Sequence, residues 1–520
     1  MTAGERHGGT GAWRDWLWPL AVLACLWAFV ATHPIRPHDF WWHVKVGQEI
    51  VQTHQIPQVD TFSYTMPGQP YPSYQAFWLS EVALYEVYAL GGPALSVFVQ
   101  TLLITGTYLL LLLLCLRLSR NVRVATIAVL AAAVLGFENW NIRPQALTFL
   151  LFTLTLWLIY AFRTNARPPR WLLLAFPALM ILWVNCHGSF PLGLVLIGAW
   201  LVETIWERAR VGPRCGRAVW MPVVALALSA AAVFVNPQGF GAFAYLRLMG
   251  GSTVVQQGPE WAPASFATKD GIAFFVLALA GLALLVRAGR VPSGLWHWLL
   301  LVGFGVLAWR TGRAIVWFGL ALAPVVAELL PHLLAGRGAT VSPADRADGD
   351  PHCQRGWQCH PRSDGPVVGL IMLCFVGLMI VTLPWFKDRL PLPERKAGLI
   401  SAETPMRATA FLLEHRLPPQ VFHNMIYGSY LIWTAGPRYR VFADPRIELY
   451  PAWLWDMYHA VSRGDRGWQQ ALDHYGVNTL MLSRQEQPGL VAAATVSPQW
   501  RRVYEDRQTV MLVRKEARGE

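Results

Sequence analysis

HDFWWHVKVGQEIVQTHQIPQVDTFSYT, residues 38–65, is the stretch on which the reading of the whole chain turns. It follows the first long apolar run and sets Asp39 between two histidines and beside two tryptophans. At the edge of a membrane a carboxylate among aromatic rings is costly, and such a residue is by default a functional candidate. Apolar residues at Phe40, Val44, Gly47 and Val51 predict a short amphipathic helix over 40–51. His43 then lies on the same face as Asp39, four residues on. Asp39 is also a good N-cap for that helix, a structural reading compatible with a chemical one. Ile56-Pro57 and Met66-Pro67-Gly68 break the segment, and a second amphipathic helix is expected over 76–90, its aromatics suited to a membrane surface.

Outward from this stretch, composition fixes the class. Of 520 residues 54% are hydrophobic and only 14% charged, which excludes an ordinary soluble protein. Apolar runs long enough to cross about 30 Å of hydrocarbon recur from Trp16 to Pro384, and no ten-residue alternation suggests a barrel. The expectation is a polytopic α-helical membrane protein of about eleven spans. They are placed near 16–33, 93–116, 122–137, 145–162, 171–184, 188–206, 218–235, 271–286, 295–309, 314–334 and 366–384. Leu102 to Leu116 reads as lipid-facing. The net charge of +12 is an address and not a nucleic-acid signal: 18 Lys and Arg fall on the side of the N-terminus against seven on the other before residue 385. That places the N-terminus in the cytoplasm and the 34–92 loop outside as a structured cap. Residues 335–365 are a Gly-, Pro- and Asp-rich cytoplasmic linker.

Residues 1–384 thus form the membrane module, and 386–520 a small extracytoplasmic α/β domain. Its strands are expected in VFHNM, YRVFAD, NTLMLS and TVMLV, and its helices around 452–461 and 466–474. The domain holds none of the seven cysteines, so no disulfide framework is implied. Cys353 and Cys359 beside His352 and His360 match no common zinc spacing, and no metal ligands are assigned.

The turns on the outward side carry the polar residues. They are Glu138 to Pro144, the Asn185-Cys186-His187-Gly188 turn, the loop holding Glu260-Trp261, and Arg310 and Arg313. Arginines there run against the charge rule, and their forks match phosphate oxygens. Snorkelling to the interface is the plain alternative. Glu138 and Arg143 could simply pair, and Asp60 could be a turn residue. Asp444, Arg446 and Glu448 read as a structural ion-pair turn.

D-x-W-W-H-x-x-x-G, P-x-x-D-x-F-S-Y-T, R-P-Q, N-x-H-G, N-P-x-G and D-x-R-x-E-L-Y together resemble a large group of bacterial multispan proteins. These are identified as GT-C superfamily glycosyltransferases, often described as RgtA/B/C/D-like. The resemblance implies transfer of a sugar from a polyprenyl-phosphate carrier to a glycan, lipid or protein acceptor, outside the bacterial inner membrane. Asp39 and His43 would be catalytic. Asp60, Glu81, Glu138, Arg143, His187, Glu260, Arg310 and Arg313 would bind substrate, with a divalent cation as a possible cofactor. Phe77 stands where the pattern has Glu, so any role of that acid in holding a metal or acceptor passes to Glu81 or Glu138 or is absent. The alternatives are a lipid-linked glycan transporter or assembly partner, which would want charges deep in spans, whereas the few present, Glu203, Glu207 and Glu328, lie near cytoplasmic ends, or another lipid-phosphate transferase.

Overall fold

The computed structural model describes residues 12–165, 167–212, 218–251, 258, 260–288, 294–335 and 365–515. A helix falls on each of the eleven expected segments. Six helices are long and apolar enough to cross a membrane by length and composition, and several shorter apolar helices accompany them. The chain is a polytopic helical membrane protein with a small C-terminal α/β unit.

The bundle begins with α1 (Ala12–Ala31), and α2 (Phe40–Thr53) lies across its end. The helix α3 (Ser73–Ser119) joins two expected pieces through a kink at Gly91 and Gly92. Gly92 has φ +60° and ψ −152°, a conformation that side chains oppose, and Pro93 supplies no N–H to a continued helix. The amphipathic half, 73–90, therefore turns into the spanning half at one defined point. Along the leucine run one face is exposed, at Leu102, Leu109 and Leu113, while Leu111, Leu112 and Leu114 are buried. The run is thus half lipid-facing and half core.

The next helices are α4 (Val122–Gly136), α5 (Gln145–Thr164), α6 (Ala175–Cys186), α7 (Pro191–Val211), α8 (Trp220–Ala232) and α9 (Ala242–Gly251). The remaining bundle helices are Lys269–Arg287, Leu295–Trp298 leading through a π turn into Phe304–Arg310, Ile315–Ala335 and Gly365–Val381. Their shared core is almost wholly apolar and aromatic. The buried acids of the spans sit at the end away from α2. Glu203 pairs with Arg163 at 2.9 Å, and Glu328 bonds His297.

The C-terminal unit is a four-stranded sheet of β1 (Val421–His423), β2 (Thr479–Ser483), β3 (Trp500–Glu505) and β4 (Thr509–Arg514), in the order β1-β2-β4-β3. Only the β1–β2 pair is parallel. The segment YRVFAD is not a sheet strand. Val441 instead makes a parallel bridge to Ser63, with Val441 N–H donating to Phe62 O and Tyr64 N–H to Val441 O. The first loop thus takes up backbone groups that the sequence assigned to the sheet. One apolar core runs through both: Trp42, Val46, Phe62, Tyr71 and Tyr74 pack with Phe422, Val441, Phe442 and Tyr450.

Candidate active site

A cavity of about 400 Å³ opens between α2, the start of α3, the loop ends of the bundle and the C-terminal unit. Asp39, His43, Arg143, His187, Glu260 and Arg313 all line it.

Asp39 holds the N-cap position of α2, but at φ −97° and ψ −28° its side chain caps nothing. It reaches Arg143 instead, Oδ2 to Nε at 2.9 Å, with the two side chains 20% and 16% exposed. The magnitudes favour this choice: an N-cap contributes about 1 kcal/mol, a charge-assisted hydrogen bond about 1.5–3 kcal/mol. Arg143 Nη1 also donates to both Glu260 oxygens, at 2.9 and 3.0 Å. Arg313 approaches the same carboxylate at 3.7 Å and lies over the Trp261 ring. Burial alone would raise the Glu260 pKa, yet Arg143 and then Arg313 hold it below the ordinary value. The result is an alternating chain of acid and base, Asp39–Arg143–Glu260–Arg313, along one wall.

His43 faces the cavity from α2 and shares a 2.9 Å hydrogen bond between Nδ1 and Glu81 Oε1. Gly47 makes this possible: a Cβ there would stand 2.0 Å from the Glu81 carbonyl oxygen, so only glycine lets α2 rest directly on α3. Glu81 is fully buried behind the histidine and does not line the cavity. The His43 pKa lies well below its usual value, through burial first and Arg143 next, so the ring is neutral.

His187 follows α6 at its C-cap. The Ser189 N–H donates to its Nδ1 at 3.0 Å, which leaves the proton on Nε2. Burial, then Arg313 and Arg143, lowers its pKa to about 3. Gly188 makes room for the Tyr245 ring, whose Cε1 would be 2.0 Å from a Cβ.

The other four expected residues lie elsewhere. Asp60 is 1% exposed and caps its own turn, through the N–H groups of Phe62 and Ser63, while pairing with Arg446 at 2.6 Å. Glu81 stands behind His43. Glu138 is exposed and lines a separate small cleft, and Arg143 pairs with Asp39 and Glu260 rather than with it. Arg310 is exposed at a helix end and does not line the cavity.

Sequence reasoning missed the contribution of the C-terminal unit. Met425, Ile426 and Pro445 to Glu448 close one side. Asp444 and Arg446 do form the expected ion pair, at 2.6 Å with both side chains sealed. Glu448 is not part of it: its Oε1 accepts from Tyr71 Oη at 2.6 Å and Ser73 Oγ at 3.0 Å. Burial raises its pKa against the pull of those hydroxyls. The acid–base–acid spacing at 444, 446 and 448 was the available signal, since alternate residues of an extended segment can face one wall.

The carboxylates do not suit a divalent cation. Asp39 and Glu260 share Arg143, Glu448 is held by two hydroxyls, and no cluster of three His, Cys, Asp or Glu forms among the described residues. The cysteines and histidines at 352–360 lie outside the described residues.

Among solved structures, the apo Archaeoglobus fulgidus oligosaccharyltransferase matches at TM-score 0.54 and 12% identity, over 96% of this chain and 74% of that one. ArnT from Cupriavidus metallidurans bound to undecaprenyl phosphate matches at TM-score 0.52 and 14% identity, over 98% and 99%. The chain has the GT-C fold. At these identities the GT-C likeness speaks for architecture alone. No protein-family model and no curated protein matches the sequence.

Proposed function

We propose that this GT-C protein is a membrane glycosyltransferase that moves a sugar from a polyprenyl-phosphate carrier to an acceptor hydroxyl. The observation that carries the reading is Asp39 on the wall of an open, largely apolar cavity, its side chain capping no helix and one hydrogen bond from an arginine. Support also comes from two structural neighbours: one is an oligosaccharyltransferase, and ArnT was crystallised with undecaprenyl phosphate.

In the proposed transfer the acceptor oxygen attacks the anomeric carbon from the face opposite the phosphate, and configuration inverts. Asp39 takes the acceptor proton as the new bond forms. The bond from anomeric carbon to phosphate oxygen breaks, and the electron pair leaves with the phosphate. Arg143 and Arg313 meet that phosphate, taking it in place of the Glu260 carboxylate that now bridges them. Arg143 released toward phosphate frees Asp39 for the acceptor. His187, with its Nε2 proton, is a neutral donor on the same wall. Inversion, a polyprenyl carrier and an outward-facing site are parts of this proposal, as is the bacterial inner membrane.

The test is reconstitution of the protein with a panel of polyprenyl-phosphate sugars and a cell-envelope extract as acceptor, following release of free polyprenyl phosphate. Release that requires acceptor supports a transferase. Intact donor carried across the bilayer without release would make it a transporter.

A further inference from the structure

The segment after α1 is fastened to the chain beyond the last bundle helix. Ile35 N–H donates to Leu399 O at 2.8 Å and Ser401 N–H to Ile35 O at 2.8 Å. This clasp gathers His33, Arg36, Lys387 and Lys396. Lys396 Nζ stands 4.8 Å above the Phe29 ring, and Phe29 packs against both His33 and Trp140. Arg36, Lys396 and Lys387 all act on His33 and, after burial, help lower its pKa to about 4.

Among the described residues no acid stands within ion-pair distance of Arg36, Lys387 or Lys396. Lys387 is 1% exposed, and its Nζ is sealed without a hydrogen-bond partner, as is His33 Nδ1. Sealing an unpaired ammonium costs several kcal/mol unless a counter-charge arrives. Burial, then Lys396, lowers the Lys387 pKa to about 8. A cleft of about 70 Å³ lies beside this cluster; Phe29, His33, Arg36, Glu138, Trp140 and Asn141 line it, while neither lysine is part of its lining and Lys396 stands against the Phe29 ring. Glu138 is its one carboxylate, and Asp388 lies beside Lys387 in the chain. Arg36 and Asn141 also line a second small cleft that shares His38, Asp39, Arg143 and Glu260 with the main cavity.

We infer that this cleft is a second anion site, built for the phosphate of a phosphoester and separate from the arginines of the main cavity. Arg36 and Lys396 reach the phosphate oxygens, His33 offers its outward ring nitrogen, and Lys387 supplies charge from behind. The site needs no transfer chemistry, so it stands or falls apart from the transferase reading. The phosphate could belong to a membrane lipid headgroup or to a soluble ion.

The full-length protein in a neutral detergent is melted against rising phosphatidylglycerol and, in parallel, inorganic phosphate, with a neutral diacylglycerol as control. A rise in melting temperature with phosphatidylglycerol alone assigns a lipid headgroup, and a rise with inorganic phosphate assigns a soluble anion. Either supports the site when Arg36→Ala and Lys396→Ala each raise the half-maximal concentration on the order of tenfold. Lys387→Met separates this from a structural role: it should melt higher than wild type without anion and respond less to it. No rise with either anion, the same response in both alanine variants, or a lower melting point for Lys387→Met overturns the proposal.

Discussion

Asp39 and its partners are the residue-scale core of the account. The sequence offered two fates for Asp39, cap or chemistry, and the side chain leaves the helix it precedes for Arg143. Two of the three histidines that line the cavity are held neutral, His43 by burial and Arg143, His187 at a pKa of about 3 by burial and Arg313. Burial and the neighbouring arginines move both titrations to the acid side of an ordinary histidine, so both rings stay neutral as pH rises through 6.5. The rate-against-pH profile of the reconstituted protein should therefore lack a limb near 6.5. A histidine inflection there would contradict the neutral assignment. Which acids and bases meet was not readable from the chain. Arg143 and Glu260 are 117 residues apart, and Glu138, closer in sequence, is bypassed.

At the scale of elements, two contacts hold the site in register. Gly47 lets α2 lie on α3, and the Glu81 carbonyl there is backbone that cannot step aside. Gly47→Ala should lift α2, cost about 1–3 kcal/mol of stability, and reduce turnover through displaced Asp39 and His43. Wild-type melting and turnover in that variant would show the approach to be dispensable. The second contact joins the C-terminal unit to the first loop. Arg446, sealed from solvent, bonds Asp444, Asp60 and the Tyr74 hydroxyl, with three aromatic rings around it. Arg446→Leu would leave two buried acids without a cation, a loss of about 3–5 kcal/mol, checked by thermal melting. Asp444 and Arg446 were legible as a pair. Their third member, Asp60, was read as a turn residue and proves to be that and an ion-pair partner too. The strand expected at 439–444 failed for the same reason: its β-prone pattern is satisfied by the first loop and not by the sheet.

Across the whole molecule, the apolar runs located the bundle helices because a bilayer leaves little choice of period or length. The wall supplied by the C-terminal unit was not legible. It depends on packing between segments nearly 400 residues apart, such as Tyr71 with Glu448. Sidedness is the remaining expectation at this scale, and it rests on charge asymmetry. In a background lacking exposed native cysteines, Glu414→Cys should react with a membrane-impermeant maleimide on intact cells, and Arg123→Cys only after lysis. The reverse pattern would invert the orientation and put the cavity on the cytoplasmic side.

Transfer rests on one carboxylate, and Asp39→Asn removes its charge with almost no change of shape. The variant should fold and melt as a membrane protein close to wild type, still bind polyprenyl phosphate, and release it from the donor sugar slower by a factor of about 10² or more. Turnover at the wild-type rate, with the asparagine confirmed in the purified protein, would remove Asp39 from the chemistry and the transferase proposal with it.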